Sequence, residues 1–255
     1  MKKGITAHFM VRNEENFIQN AIESVSGVVD EIIVFDTGST DRTPEIVKAM
    51  RGKIRFFEKG IKTPKELIAL RNEMVDLTKT EWFFVVDGDE IFYFREPKKV
   101  LSQLDILPES MLRIEITIRD FVKDANLVAR DRVSGKIWRT ERIRFFGEYP
   151  FEGGFPKENQ KMDYKEFSSA ALKDDVVCYH MVFFERSSMD KDVEVGRHWR
   201  KIPFPVLPFF GKYPKEFRVK QNFLLLVPKL AYYNVVGFLH LFFHRKEQRR
   251  NAKRN

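Results

Sequence analysis

Residues 82–90 read Trp-Phe-Phe-Val-Val-Asp-Gly-Asp-Glu, an apolar run that ends in acidic residues around one glycine. A run without polar alternation is typical of a strand buried on both faces, as in a parallel sheet that helices cover. Ligands of such sheets bind beyond the carboxyl ends of the strands. The stretch therefore predicts a buried strand that carries Asp87 and Asp89 to a ligand-binding edge.

The chain before this strand alternates between strand and helix patterns. Apolar runs predict strands at residues 5–11, 31–35 and 54–57, and helical spacing of apolar residues predicts helices at residues 13–25, 43–50 and 64–77. This alternation predicts an α/β fold with a Rossmann-like, mostly parallel central sheet flanked by helices.

The second half of the chain has less regular patterns. They predict strands at residues 112–118, 136–146 and 176–184, a loop at residues 146–161 and a helix at residues 189–201. No linker is evident before about residue 215. We therefore predict one domain over residues 1–215, in halves 1–92 and 93–215, and a C-terminal helix with a basic tail over residues 216–255.

The positive charge of the chain is concentrated at its C-terminal end. The net charge is +8, and residues 244–255 contain six Lys or Arg against one Glu. A nucleic-acid-binding protein carries its charge on the folded body, so we expect no nucleic-acid partner. The single cysteine, Cys178, excludes an internal disulfide and a cysteine-based zinc site.

Residues 223–243 are mostly apolar, but helix-breaking and polar residues interrupt them. The interruptions are Pro228, Lys229, Asn234 and His240. They favour a helix that lies in a membrane interface, with the basic tail on anionic lipid, over a helix that spans the bilayer. The alternative is a helix packed on the domain, followed by a solvated tail. The N-terminal apolar run is too short for a signal peptide. We thus predict a cytoplasmic location, with peripheral contact to the cytoplasmic membrane face through residues 223–255.

The acids after the buried strand are candidate metal ligands. Residues i and i+2 of a strand point the same way, so Asp87 and Asp89 are predicted to converge on one cation. Two carboxylates with phosphate oxygens and water form the oxygen-rich site that Mg²⁺ or Mn²⁺ prefers. The alternative is that these acids cap the next helix. A second pair, Asp190 and Asp192, lies in a polar helical pattern and is interpreted as solvated surface.

Two further polar residues are predicted near the same edge. Asp36 ends the second strand and is a candidate acceptor for a base or ribose, or else a residue that shapes the turn. Arg71 lies in the helix before the acidic strand. It is a candidate phosphate ligand, or else an ordinary surface residue.

Four motifs in order resemble those of family 2 glycosyltransferases. They are Met-Val-Arg-Asn-Glu-Glu at residues 10–15, Val-Asp-Glu-Ile-Ile-Val-Phe-Asp-Thr-Gly-Ser-Thr-Asp-Arg-Thr at 29–43, Leu-Arg-Asn at 70–72 and Val-Val-Asp-Gly-Asp-Glu at 85–90. The resemblance covers residues 4–92. It implies a GT-A-type fold and a hexosyltransferase, usually inverting and metal-dependent, that uses a nucleotide-diphosphate sugar. By resemblance alone the donor is a UDP-sugar. The acceptor stays open between a glycan, a lipid-linked sugar and a protein.

The resemblance also implies roles for individual residues. It implies that Val11, Asn13 and Glu14 line the nucleotide pocket and that Asp36 contacts the base. It also implies that Arg71 lies near the diphosphate and that Asp87 and Asp89 form the metal motif. His180, within Cys-Tyr-His-Met at residues 178–181, resembles a late histidine that completes the metal site in relatives. The alternative for His180 is a structural histidine on an apolar strand.

The catalytic base is the least defined part of the prediction. An inverting transfer needs a carboxylate to take the proton of the acceptor hydroxyl. Related enzymes often carry a His-Glu pair after a Phe-x-Gly element, and residues 151–158 keep the general shape but lack that histidine. Glu152 is our first candidate and Glu158 the second. Either one could instead be a surface acid on a loop.

Two other function classes remain as alternatives. A sugar nucleotidyltransferase needs a glycine-rich phosphate loop after the first strand, and residues 10–15 contain no glycine. A non-enzymatic basic module for membrane or nucleic-acid surfaces would depend on the tail at residues 244–255.

Overall fold

A computed structural model describes residues 1–122, 126–129, 131–146, 154–156, 169–172, 175–188, 205–210, 213, 227–236 and 238. The first half contains β1 (Lys2–Val11), α1 (Ile18–Ser26), β2 (Glu31–Asp36), α2 (Thr43–Ala49), β3 (Ile54–Glu58), α3 (Pro64–Leu77), β4 (Thr80–Val86), β5 (Glu90–Phe94) and α4 (Pro97–Asp105). The second half contains β6 (Arg113–Asp120), β7 (Leu127–Val128), β8 (Arg132–Arg139), β9 (Ile143–Phe145), β10 (Gly154–Pro156), β11 (Ser169–Ala171), β12 (Val176–His180) and β13 (Leu207–Pro208), and residues 227–236 are helical.

A nine-stranded sheet organises the molecule. Its strand order is β3-β2-β1-β4-β8-β6-β12-β5, and β11 also pairs with β6. The strands β3, β2, β1 and β4 are parallel to one another, whereas β8 is antiparallel to both β4 and β6. The predicted α/β fold with a mostly parallel sheet and a C-terminal helix is confirmed.

The strand register brings the polar ends of several strands together. The parallel strands β1, β2 and β4 end at Val11, Asp36 and Val86, so the loops after them lie at one edge of the sheet. On the other side of β8, His180 at the end of β12 pairs with Glu90 of β5 and with Asp120 of β6. Strand pairing thus aligns residues that are far apart in the sequence.

The strand predicted to be buried is buried along almost its whole length. Trp82, Phe84 and Val86 face the larger core cluster, together with residues of α1 and α4. Phe83 points to the other face, where it packs with Val75. A rigid apolar strand therefore leads directly into the acidic turn at residues 87–90.

Three predicted elements differ more from the structure than the shifts of one to three residues at the ends of the others. The helix predicted from residue 13 begins at Ile18, because Asn13 has a positive φ of 55° and the residues after it bond to other loops. The strand predicted at residues 136–146 consists of two strands, β8 and β9, separated by a turn. The third, β12, ends at His180 rather than at residue 184. The helix predicted at residues 189–201 lies outside the described residues.

The C-terminal helix contacts the body of the molecule through one face. Leu230 and Tyr233 pack against a small cluster that includes Val122 and Val206. The side chain of Asn234 donates to the carbonyl of Val206 and accepts from its N–H, both at 2.9 Å. Within the described ranges, no helix is long and apolar enough to cross a bilayer.

Candidate active site

Side chains join the loops that follow β1 and β2. Asn13 receives the N–H of Thr40 at 2.8 Å on its side-chain oxygen, and its own N–H donates to Ser39 Oγ at 2.9 Å. The N–H of Glu14 donates to Thr43 Oγ1 at 2.8 Å. These bonds account for the burial of Asn13 and Glu14, which were predicted to line a nucleotide pocket, and they fix the shape of both loops.

The two carboxylate oxygens of Asp36 differ in their hydrogen bonding. Its Oδ1 accepts the N–H groups of Gly38 and Ser39 at 3.0 and 2.9 Å, which agrees with the turn-shaping alternative. Its Oδ2 is buried and has no hydrogen-bond partner in the part of the chain that the structure describes. A buried carboxylate oxygen without a partner is costly, so Asp36 is also suited to accept a hydrogen bond from a ligand.

Gly88, in the turn after β4, makes room for Glu14. A Cβ at position 88 would lie 2.5 Å from Glu14 Cγ and 2.8 Å from Glu14 Cβ. A glycine beside two acids could leave room for a ligand, but in the structure the side chain of Glu14 fills that space. Close packing of two loops, rather than ligand access, is therefore the reason for glycine here.

Gly88→Ala is expected to lower the free energy of unfolding by about 1–3 kcal/mol, because the added methyl group overpacks a buried contact. Gly27→Ala is the matched control, since a Cβ at position 27 meets no atom within 4 Å and the residue has a φ of −81°. Chemical denaturation of both variants measures the difference. Equal stability of the two would contradict the packing role of Gly88.

Asp87 lies between two buried cations. Its Oδ1 is 3.7 Å from Arg71 Nη2, and its Oδ2 is 3.5 Å from Lys136 Nζ. Burial disfavours the charged carboxylate, but Lys136 and Arg71 hold the pKa of Asp87 below its ordinary value. Asp87 is therefore anionic at neutral pH, with about a third of its side chain exposed.

Glu90 is the second acid that contacts Lys136. Its two carboxylate oxygens accept from Lys136 Nζ at 2.6 and 2.7 Å, and the N–H of Asp87 donates to Oε2 at 3.0 Å. Burial raises the pKa of Glu90, although Lys136 opposes that shift. Burial also disfavours the charge on Lys136, but Glu90 and Asp87 raise the pKa of Lys136 above its usual value. The pair is a buried ion pair at the base of the acidic turn.

Asp89 has a different set of partners. Its Oδ2 accepts from Arg186 Nη1 at 3.2 Å, and the same Arg186 nitrogen donates to Glu14 Oε1 at 2.6 Å. Its Oδ1 is 3.6 Å from His180 Nε2. On the other side of the imidazole ring, His180 Nδ1 lies 2.7 Å from Asp120 Oδ1. Burial opposes the charged imidazole, yet Asp89 and Asp120 raise the pKa of His180 to about 10.

The predicted metal ligands only partly assemble. Asp89 and His180 face each other at a distance longer than a hydrogen bond, and Asp120 holds the far nitrogen of the ring, as carboxylates do behind metal-binding histidines. Asp87 instead contacts Arg71 and Lys136, because the chain turns after Val86 and the strand-like alternation ends there. No group of three metal-binding side chains occurs among residues 1–122 and the other described segments. Of the three predicted metal ligands, only Asp89 and His180 face each other, with 3.6 Å between Oδ1 and Nε2.

The other predicted residues take the following places. Val11 ends β1 and its carbonyl accepts the N–H and hydroxyl of Thr37. Arg71 is buried in α3 and points at Asp87, so it is not an ordinary surface residue. Glu152 and Glu158, the candidate bases, lie outside the described residues.

Three polar residues of the site were not predicted from the sequence. Lys136, Arg186 and Asp120 contact the acidic turn or its histidine, and Lys136 and Arg186 reach their partners over 46 and 97 residues of chain. Lys136 begins the strand predicted at residues 136–146, where a charged residue at a buried position would have been the available signal. Asp120 lies two residues beyond the strand predicted at residues 112–118, and it enters the sheet because β6 continues to residue 120. Arg186 follows the last predicted strand without any distinguishing pattern.

Residues 8–193, more than half of the chain, match the family described as Glycosyl transferase family 2. The chain belongs to this family. The family that the four motifs predict is thus confirmed, and the sheet order agrees with the GT-A-type fold that the resemblance implies.

Several proteins are similar to parts of this family 2 chain. It is 31% identical over 140 residues to the TPR repeat-containing protein Synpcc7942_0270 of Synechococcus elongatus, an alignment that covers 55% of this chain and 33% of that protein. It is 25% identical over 156 residues to the SPbeta prophage-derived glycosyltransferase SunS of Bacillus subtilis, covering 60% and 34%. The matches thus span about a third of the length of these curated relatives. Among solved structures, S. aureus TarS in complex with UDP-GlcNAc has a TM-score of 0.46 at 18% identity, covering 71% of this chain and 59% of that one.

Proposed function

We propose that this family 2 chain is a hexosyltransferase that moves a sugar from a nucleotide-diphosphate donor, with UDP-sugars as the first candidates, to a hydroxyl acceptor. The observation that carries the proposal is the edge formed by the ends of β2 and β4, where Asp36 and the acidic turn at residues 87–90 lie and where Arg71 is 3.7 Å from Asp87. Ligands of open α/β sheets bind at this edge. The acceptor is a glycan, a lipid-linked sugar or a protein.

The unpartnered polar atoms support binding of a nucleotide diphosphate. Asp36 Oδ2 is available to the base or ribose. Arg71 is 3% exposed, and its Nε and Nη1 have no hydrogen-bond partner in the described segments. A buried guanidinium with free N–H groups is well suited to phosphate oxygens. In our proposal Asp36 orients the nucleoside and Arg71 the diphosphate.

Mn²⁺ or Mg²⁺ is the proposed cofactor, with Asp89 and His180 as protein ligands and Asp87 as a third ligand that would give up its contact with Lys136. When bound, such an ion neutralises the charge that develops on the leaving diphosphate. Arg71 and Lys136 add positive charge beside Asp87, at 3.7 and 3.5 Å from its carboxylate. Asp120 orients the imidazole of His180 through its 2.7 Å contact with Nδ1.

An inverting, single-displacement reaction is the proposed mechanism. It requires a carboxylate that takes the proton of the acceptor hydroxyl. Glu152 remains the first candidate and Glu158 the second. Replacement of each by Gln, with transfer and donor hydrolysis measured separately, distinguishes the base from a surface acid.

A thermal-shift screen with nucleotides tests the proposed donor. UDP or GDP is expected to raise the melting temperature, and Mn²⁺ to increase that shift, because a ligand of the folded state stabilises it. UMP is the matched control, since it lacks the second phosphate and should give a smaller, metal-independent shift. The absence of any shift with nucleotide diphosphates, with and without Mn²⁺, would contradict the proposal.

A further inference from the structure

The C-terminal helix has an outer face that is entirely uncharged. Between residues 227 and 238 the exposed described residues are Val227, Pro228, Ala231, Tyr232, Val235 and Phe238. Their spacing of four, five, eight and eleven residues from Val227 places them on one side of a helix. Val227 and Tyr232 are 73% and 62% exposed. A contiguous exposed apolar face of this kind marks an interaction surface.

The inner face of the same helix holds the outer face in position. Leu230 and Tyr233 pack into the cluster with Val122, and Asn234 forms paired hydrogen bonds with the backbone of Val206. The segment bonded to Asn234 also contains Leu207 and Phe210, which are 45% and 71% exposed. The apolar face is therefore fixed on the body of the molecule rather than being a loose end.

The charge of the chain indicates what covers this face. No Lys, Arg, Asp or Glu occurs among the exposed described residues of the helix. The residues that follow it in the sequence, 244–255, carry a net charge of +5 from Arg245, Lys246, Arg249, Arg250, Lys253 and Arg254 against Glu247. An apolar and aromatic helix face that is followed in the sequence by a cluster of basic residues matches the two layers of an anionic bilayer surface. A soluble partner would need both an apolar groove and an acidic patch.

We propose that the helix at residues 227–236 docks on an anionic lipid bilayer, with Tyr232 and Val235 in the interface. The basic stretch, residues 244–255, would be attracted to the headgroups. The helix lies flat on the membrane, since its opposite face is occupied by the domain. This orientation agrees with the peripheral location that the sequence predicts. The proposal does not depend on the sugar-transfer reaction.

Vesicle co-sedimentation of the full chain tests the proposal. The chain is expected to bind phosphatidylcholine vesicles that contain phosphatidylglycerol, and to bind pure phosphatidylcholine vesicles at least about tenfold more weakly. Tyr232→Glu with Val235→Glu is expected to reduce binding by about tenfold or more, because it places charge in the interface. Its matched control is Ile61→Glu with Ile106→Glu, which replaces residues that are 68% and 80% exposed elsewhere.

The basic stretch has its own matched pair of variants. Replacement of Arg249, Arg250, Lys253 and Arg254 by Gln should reduce binding to anionic vesicles by about tenfold or more. The same change at the exposed residues Arg51, Lys53, Lys65 and Lys98 should leave binding unchanged.

Three results would overturn the proposal. They are the absence of binding to anionic vesicles, equal binding to neutral ones, and equal losses in the test and control variants. Light scattering without lipid provides a fourth test. If the chain does not bind vesicles but forms a dimer, and if Tyr232→Ala with Val235→Ala dissociates that dimer, the apolar face contacts a second copy of the chain instead of a membrane. Melting temperatures of all variants confirm that each is folded.

Discussion

Asp89→Asn is expected to lower the rate of donor hydrolysis and sugar transfer by at least about a hundredfold, the loss typical for removal of one charge-stabilising group from an active site. The carboxylate lies between His180 and Arg186 and is 1% exposed. An amide of the same size keeps the packing, but it loses the charge that a divalent ion requires. The variant should also lose the Mn²⁺-dependent part of the thermal shift with UDP.

UDP release from UDP-sugars in the presence of Mn²⁺ measures the effect without knowledge of the acceptor. Asp105→Asn is the matched control, because Asp105 is half-exposed and its one ion pair with the residues that the structure describes is with Lys3 at 3.7 Å. Chemical denaturation shows whether both variants are folded. A folded Asp89→Asn protein with the activity of the control would remove Asp89 from the proposed metal site and leave the family assignment intact.

The elements that the sequence predicts well are those with strong local signals. The helix α3 was predicted with its observed bounds, Pro64–Leu77, and Thr63 and Glu66 close it with reciprocal cap bonds. The apolar run of β4 predicts either a buried strand or a buried helix segment. The turn residues directly after it favour the strand. Local propensity and hydrophobic pattern suffice for such elements because neighbouring residues determine them.

The arrangement of the acids could not be predicted in the same way. The assumption that residues 87 and 89 share a direction requires the strand to continue, but the N–H of Glu90 bonds to the carbonyl of Asp87 and closes a turn. Arg186, which bonds to Glu14 across 172 residues, also donates to Asp89. Contacts over such sequence distances arise from the topology of the sheet, and a single sequence contains no local signal for them.

Lys136→Met is expected to lower the free energy of unfolding by about 3–5 kcal/mol, because it leaves Glu90 buried without its cation. Lys136 contacts both oxygens of Glu90, which is 1% exposed, and also lies 3.5 Å from Asp87. Methionine preserves the length and apolar stem of lysine, so the loss reports the charge. Chemical denaturation measures the loss of free energy of unfolding. Thermal denaturation should show a fall of about 10 °C in melting temperature.

The pH dependence of this variant separates a charge effect from a packing defect. Without Lys136 the pKa of Glu90 should rise further above its ordinary value of 4.5, so the folded state holds a proton that the unfolded chain releases. Stability of the variant should then fall as the pH rises above 4.5, and its deficit against the parent protein should be smaller at pH 5 than at pH 8. Addition of Glu90→Gln to Lys136→Met removes the titrating group and should recover part of the loss at pH 8. A pH-independent deficit that the second substitution does not relieve would mean that Lys136 acts by filling space.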